Sequence, residues 1–208
     1  MTRKFSFLLL LAALMSIPAI AFAQGTGIVG SKHDLSTQSW SNSEVCFPCH
    51  TPHHANPTVP PLWNHTVSTA TYTLYTSERL KNPVAMPGYA SVVCLSCHDG
   101  TVAVDALGGA AGASFMSGKA LIGTDLSNDH PVGALWAHGS GFNGLCSSCH
   151  GRSMGRMITK GERMALPFYK KRVECASCHD AHNKGAGEKA FLRKKIAFSE
   201  LCYHCHSK

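Results

Sequence analysis

The sequence predicts a chain that is mostly irregular coil with a few short helices, organised around bound groups instead of a side-chain core. Three observations predict this. Gly, Pro, Ser, Thr, Asn and Ala fill long stretches between short apolar runs. Helical or alternating periodicity is weak nearly everywhere. All ten cysteines fall into five copies of one spacing, Cys-x-x-Cys-His.

From the N-terminus, Arg3 and Lys4 precede an apolar run from Phe5 to Met15, followed by Ala21-Phe22-Ala23. Charged start, short apolar run and small-x-small site are the features of a secretory signal peptide, so residues 1–23 are expected to be removed. The run is too short to span a bilayer. No cysteine lies near the cleavage point to take a lipid, and stable membrane insertion is not expected. Residues 24–208 read as one exported domain, periplasmic or extracellular. Within it, Ser43-Glu44 opens a turn into the first motif, and 107–120 reads as Gly/Ala-rich loop. The best helical stretch is Ala190 to Cys202, with Ser199 as a local cap.

The motifs are Cys46-Phe47-Pro48-Cys49-His50, Cys94-Leu95-Ser96-Cys97-His98, Cys146-Ser147-Ser148-Cys149-His150, Cys175-Ala176-Ser177-Cys178-His179 and Cys202-Tyr203-His204-Cys205-His206. Two thiols three positions apart can add to the two vinyl groups on one porphyrin edge, and the adjacent histidine then lies under the iron. The chain is therefore expected to hold five covalent haem c groups. Their thioethers would come from Cys46, Cys49, Cys94, Cys97, Cys146, Cys149, Cys175, Cys178, Cys202 and Cys205. Their proximal ligands would be His50, His98, His150, His179 and His206. The fold is then a haem-cored multihaem cytochrome c. A disulfide framework leaves the recurring histidine unexplained. Zinc sites of four cysteines would leave one pair unmatched. A thioredoxin-like pair needs a βαβ setting that is absent.

Of thirteen histidines, eight remain for the sixth iron position. His53 and His182 each follow a proximal histidine by three, on the same side of a helical turn. The thioethers hold the peptide on the near face of its own haem, so these two would ligate a neighbouring haem. His130 precedes Pro131, which biases it to an extended backbone suited to a ligand. His33 lies thirteen residues before Cys46, a reach of up to roughly 45 Å, within its own chain or into a neighbour. The fifth distal ligand is His138, with His65 the close alternative. His204 is pinned at the porphyrin edge, His54 points away from its neighbour, and Met154 and Met157 are lesser candidates beside the third motif. Asn64-His65-Thr66 matches a glycosylation sequon.

The formal net charge of +7 invites a nucleic-acid reading. Five haems would add about −5 when ferric and about −10 when ferrous, so the basic residues are better read as propionate partners, and no nucleic acid is expected. Charge is uneven: residues 24–150 hold four Lys/Arg against seven Asp/Glu, and residues 151–208 hold thirteen against five.

Several segments resemble those of the multihaem cytochromes of metal-reducing bacteria with doubled CxxCH motifs. The likeness is strongest to the tetrahaem extracellular cytochromes that polymerise into conductive filaments. The segments are Lys32-His33-Asp34-Leu35-Ser36, Cys49-His50-Thr51-Pro52-His53, Pro61-Leu62-Trp63-Asn64, Cys97-His98-Asp99-Gly100, Asn128-Asp129-His130-Pro131 and Cys175 to His182. The resemblance implies distal roles for His33, His53, His130 and His182. Cys146 to His150 departs from the tetrahaem pattern by adding a haem. The expected function is electron transfer, without enzyme activity, as an exported conduit that exchanges electrons with redox proteins or extracellular acceptors. Self-assembly into a filament, with His33 ligating a haem in the next subunit, is one form of this. A soluble periplasmic shuttle to a terminal reductase is the alternative. A reductase with an open haem ranks below both, because all five motifs end in His.

Overall fold

The computed structural model describes residues 27–80, 82–135, 166–183, 189–202 and 205–206. Most of this chain is coil and turn, as the sparse periodicity predicts. Regular structure among the described residues amounts to helix α1 (Tyr89–His98), helix α2 (Cys175–Cys178), and strands β1 (Ala134–Leu135) and β2 (Arg172–Val173). Single 3-10 turns occur at Ser39–Ser41, Gly118–Ala120, Lys189–Phe191 and Ala197–Ser199. The stretch 107–120 is coil apart from that one turn, as expected.

Helix α1 was not evident in the sequence, and it delivers the second motif. Gly88 caps its start in extended conformation, and Gly100 follows its end at φ 74°, the left-handed conformation that helix ends favour. The helix buries Ala90, Ser91, Leu95 and Ser96. Leu95 packs with Tyr72 and Leu126 in a small cluster flanked by Ala70 and Leu74.

β1 and β2 pair antiparallel, Ala134 with Val173 and Leu135 with Arg172. Gly133 extends the pairing by donating to Val173 O at 2.8 Å, and the Arg172 guanidinium returns a bond to Gly133 O at 2.8 Å. Gly133 has φ 79°, and a Cβ there would fall 2.2 Å from Ala85 O, so no side chain fits. The next residue, Glu174, joins the two helices. Its backbone and side chain form a capping box with Ser177 at the start of α2. Its carboxylate also accepts from Gly88 N at 3.1 and 3.2 Å and from Ser91 Oγ, while Cys175 N donates to Ser91 Oγ at 2.8 Å.

The helix expected over 190–202 does not form. Ala190, Phe191, Phe198 and Ser199 all have left-handed backbones. The backbone groups at 191 and 193 bond across to the fourth motif instead: Asp180 N donates to Phe191 O and Arg193 N to Cys178 O, both at 2.8 Å. Tertiary pairing has overridden local helix propensity here. The first motif is likewise one hydrogen-bonded turn, with His50 N donating to Cys46 O at 2.8 Å. No helix among the described residues is long and apolar enough to cross a membrane. Residues 1–23 lie outside the described residues.

Candidate metal centres

Four of the five motifs fall within the described residues, at least in their proximal histidine. The third, Cys146, Cys149 and His150, lies outside them with His138, His204, Met154 and Met157. Three proximal imidazoles share one arrangement. His50 Nδ1 donates to Pro61 O at 2.9 Å, His98 Nδ1 to Ala120 O at 2.7 Å, and His179 Nδ1 to Ala190 O at 2.6 Å. A carbonyl oxygen only accepts, so Nδ1 holds the proton and Nε2 is left with its lone pair. This is the tautomer and orientation a metal ligand needs.

A second imidazole faces three of the four proximal ones. His182 lies 6.2 Å from His50, centroid to centroid, with ring planes 7° apart. His33 lies 6.1 Å from His98 at 59°, and His130 lies 6.3 Å from His206 at 76°. The partners are held by their surroundings. His33 stacks on Phe191 at 4.6 Å and hydrogen-bonds the Ala181 backbone. His130 bonds the backbone at Pro131, and His182 Nδ1 is 3.7 Å from Asp180 Oδ1. Burial, then the facing imidazole, lowers the pKa of both His33 and His130. Both are therefore neutral near pH 7, with a lone pair free for a metal.

These spacings fit haem iron. Metal–nitrogen bonds of about 2 Å and an imidazole radius of about 1 Å put two axial rings roughly 6 Å apart, centre to centre. Zinc takes four protein ligands. Haem iron receives four nitrogens from the porphyrin and needs only two from the chain. Among the described residues no group of three or more His, Cys, Asp or Glu could hold a metal alone, so the pairs suit haem and not zinc. None of the eight described motif cysteines is joined in a disulfide. Burial raises Cys49 to about 11 and Cys97 to about 12. The Trp63 ring stands edge-on to His50 at 6.0 Å and 81°, and its Nε1 is buried without a hydrogen-bond partner among the described residues.

The remaining sequence candidates divide. His53 is exposed and makes no ring contact among the described residues, and no imidazole faces His179 there. His65 is buried at 3% exposure, with Nδ1 2.7 Å from Thr66 O and Nε2 2.9 Å from Ala103 O and 3.5 Å from Cys97 Sγ. Both nitrogens are turned to carbonyl oxygens, of which a neutral imidazole can donate to only one, and His65 lies against the second motif. His33, expected to reach either its own chain or a neighbour, stands in its own chain over His98. The sequon residue Asn64 is buried, its Nδ2 donating to Phe47 O at 2.7 Å, which leaves no room for a glycan.

The sequence reading missed two supports. Asp99, directly after the second motif, is buried and accepts from Ser68 Oγ, from Tyr72 Oη at 2.6 Å, and from Thr101 N and Oγ1 at 2.7 and 2.8 Å. Burial alone would raise its pKa; these bonds outweigh it and hold the carboxyl below its usual range. The Asp-Gly-Thr order after His98 was the available signal. Glu174 is the other support. Burial raises its pKa, partly offset by Ser91 and Gly88, and nothing in its local sequence announced its link to residue 88. Cys94 and Cys175 are hydrogen-bonded across the same helix pair.

Residues 167–208 match the family model for the doubled CXXCH motif, a span that contains the fourth and fifth motifs. No curated protein matches the chain. The doubled motif indicates covalent c-type haem binding and electron transfer of the multihaem kind.

Proposed function

We propose that this chain is an exported electron conduit with five covalent c-type haems, each bound by two axial histidines. The observation that supports it most is the recurrence of facing imidazoles at 6.1 to 6.3 Å, once for each of three motifs. On this reading His182 ligates the first haem, His33 the second and His130 the fifth, which the facing pairs support. His53 is assigned to the fourth by reciprocity: if the turn after His179 sends His182 to the first haem, the matching turn after His50 sends His53 to the fourth. His138 is left for the third, since His65 has both nitrogens engaged.

Bound haem would supply the one-electron iron couple. The chain's own part is to fix the proximal tautomers of His50, His98 and His179 through Pro61, Ala120 and Ala190, and to fill the sixth position so that no substrate reaches the iron. Closed coordination supports electron transfer over a reductase. His33 standing over His98 of its own chain means that ligation of the second haem by His33 needs no second subunit. Intact mass should show the processed chain plus five haems, and near-infrared and electron paramagnetic spectra should show low-spin iron throughout. Fewer than five haems after full maturation, or a persistent high-spin fraction, would overturn the reading. Electron microscopy of purified protein separates monomer from filament.

A further inference from the structure

Resting on the reading that residues 94–98 and 175–179 bind haem, we propose that Cys94 and Cys175 bring the second and fourth haems together edge to edge, and that their two sulfurs carry the electron between them. Two helices build the contact. α1 carries the second motif at its end, α2 opens on the fourth, and the two pack together. Ser91 in the first turn of α1 joins them: its Oγ donates to the Glu174 carboxylate and accepts from Cys175 N at 2.8 Å. Glu174 also accepts from Gly88 N at 3.1 and 3.2 Å. Ser91 is 0% exposed and Glu174 2%, so water does not compete for this clamp.

Cys94 lies three residues after Ser91, on the same helix face, and its thiol is hydrogen-bonded to that of Cys175. Both cysteines stay partly exposed, unlike Ser91, so each keeps an open side for the bond to its vinyl carbon. On attachment each S–H adds across a vinyl double bond, the sulfur to one carbon and the hydrogen to the other. The thiol hydrogen bond is then replaced by a contact between two thioether sulfurs, which are soft and polarisable. A transfer across it moves one electron: one iron is oxidised, the other is reduced, no bond breaks and no proton moves. The turn after the fourth motif also sends His182 to face His50. The fourth site thus meets the second by a sulfur and the first by a ligand.

Peptide mass mapping of the holoprotein first places haem on residues 94–98 and 175–179; haem missing from either would overturn the haem reading and this proposal together. With haem on both, the fully reduced protein is low-spin and diamagnetic. Two-dimensional proton NMR should then show an Overhauser cross-peak between the thioether protons at Cys94 and those at Cys175, each assigned through its own cysteine. Cross-peaks within each site and none between them would overturn the proposal alone. Cys94→Ala removes one of the two sulfurs and leaves Cys97 and His98 to hold the second haem. In half-reduced samples, electron exchange between the second and fourth haems, read from NMR line widths, should slow severalfold relative to wild type. An unchanged rate with five haems retained would overturn the route. The wild-type cross-peak decides the contact whether or not the variant loads fully.

Discussion

The first and second motif segments hold the same five-residue pattern in different ways. The second sits at the end of a ten-residue helix, with Leu95 in an apolar cluster and Asp99 gathering four hydrogen bonds just beyond. The first is a single turn around Pro48, with Cys46 exposed, anchored by Pro61 O on His50 and Asn64 on Phe47. Around the second motif, side chains supply a core of their own. Around the first, the apolar partner would be the haem. The difference implies two kinds of stability in one chain: local packing for one site, ligation and cofactor burial for the other.

Axial substitution tests this most severely. His182→Ala and His33→Ala should each convert one haem in five to a high-spin or solvent-ligated state, read by electron paramagnetic resonance. The two should lose different signals, because parallel ring planes, as in His50 and His182, split the iron orbitals more than planes 59° apart. His182→Ala should also loosen the first motif against proteolysis, whereas His33→Ala should leave α1 intact. Equal loosening in both would erase the distinction drawn here.

Next in size is Leu95→Ala. Leu95 is 1% exposed, and truncation at such a site costs about 2–5 kcal/mol. Denaturant unfolding of the holoprotein should report a loss in that range, and under about 1 kcal/mol would show that the haems dominate here too.

The two buried carboxylates should pull in opposite directions with pH. Asp99 has a lowered pKa, so its contribution is present above the unfolded value of about 3.9 and is lost as pH falls through the folded one. Asp99→Asn should cost about 1–3 kcal/mol at neutral pH and flatten the acid limb of a stability profile. Glu174 has a raised pKa, so its contribution is complete below about 4.3 and declines as pH rises through the folded value. Glu174→Gln should remove that decline while keeping acceptor contacts to Gly88 and Ser91. The smallest effect expected is Asn64→Ala, which removes the single bond to Phe47 and should cost about 1 kcal/mol by the same unfolding measurement.

By itself the sequence determined what is local and covalent. A thiol three residues from another, with histidine next, is a chemical unit whose function depends on spacing along the chain, so the doubled motif within 167–208 and the coil-rich fold were legible. Turn spacing set His182 toward a motif other than its own, and it faces His50. Only the tertiary structure decided which imidazoles face each other: 33 with 98, 50 with 182, 130 with 206. These partners are 65 to 132 residues apart, and no local pattern encodes a contact over such distances. Tertiary structure also set both His65 nitrogens close to backbone carbonyls, and it unmade a helix over 190–202 by pairing that stretch with residues 178–180. Local chemistry names the groups that can bind; which of them meet is fixed by where distant backbone hydrogen bonds are satisfied.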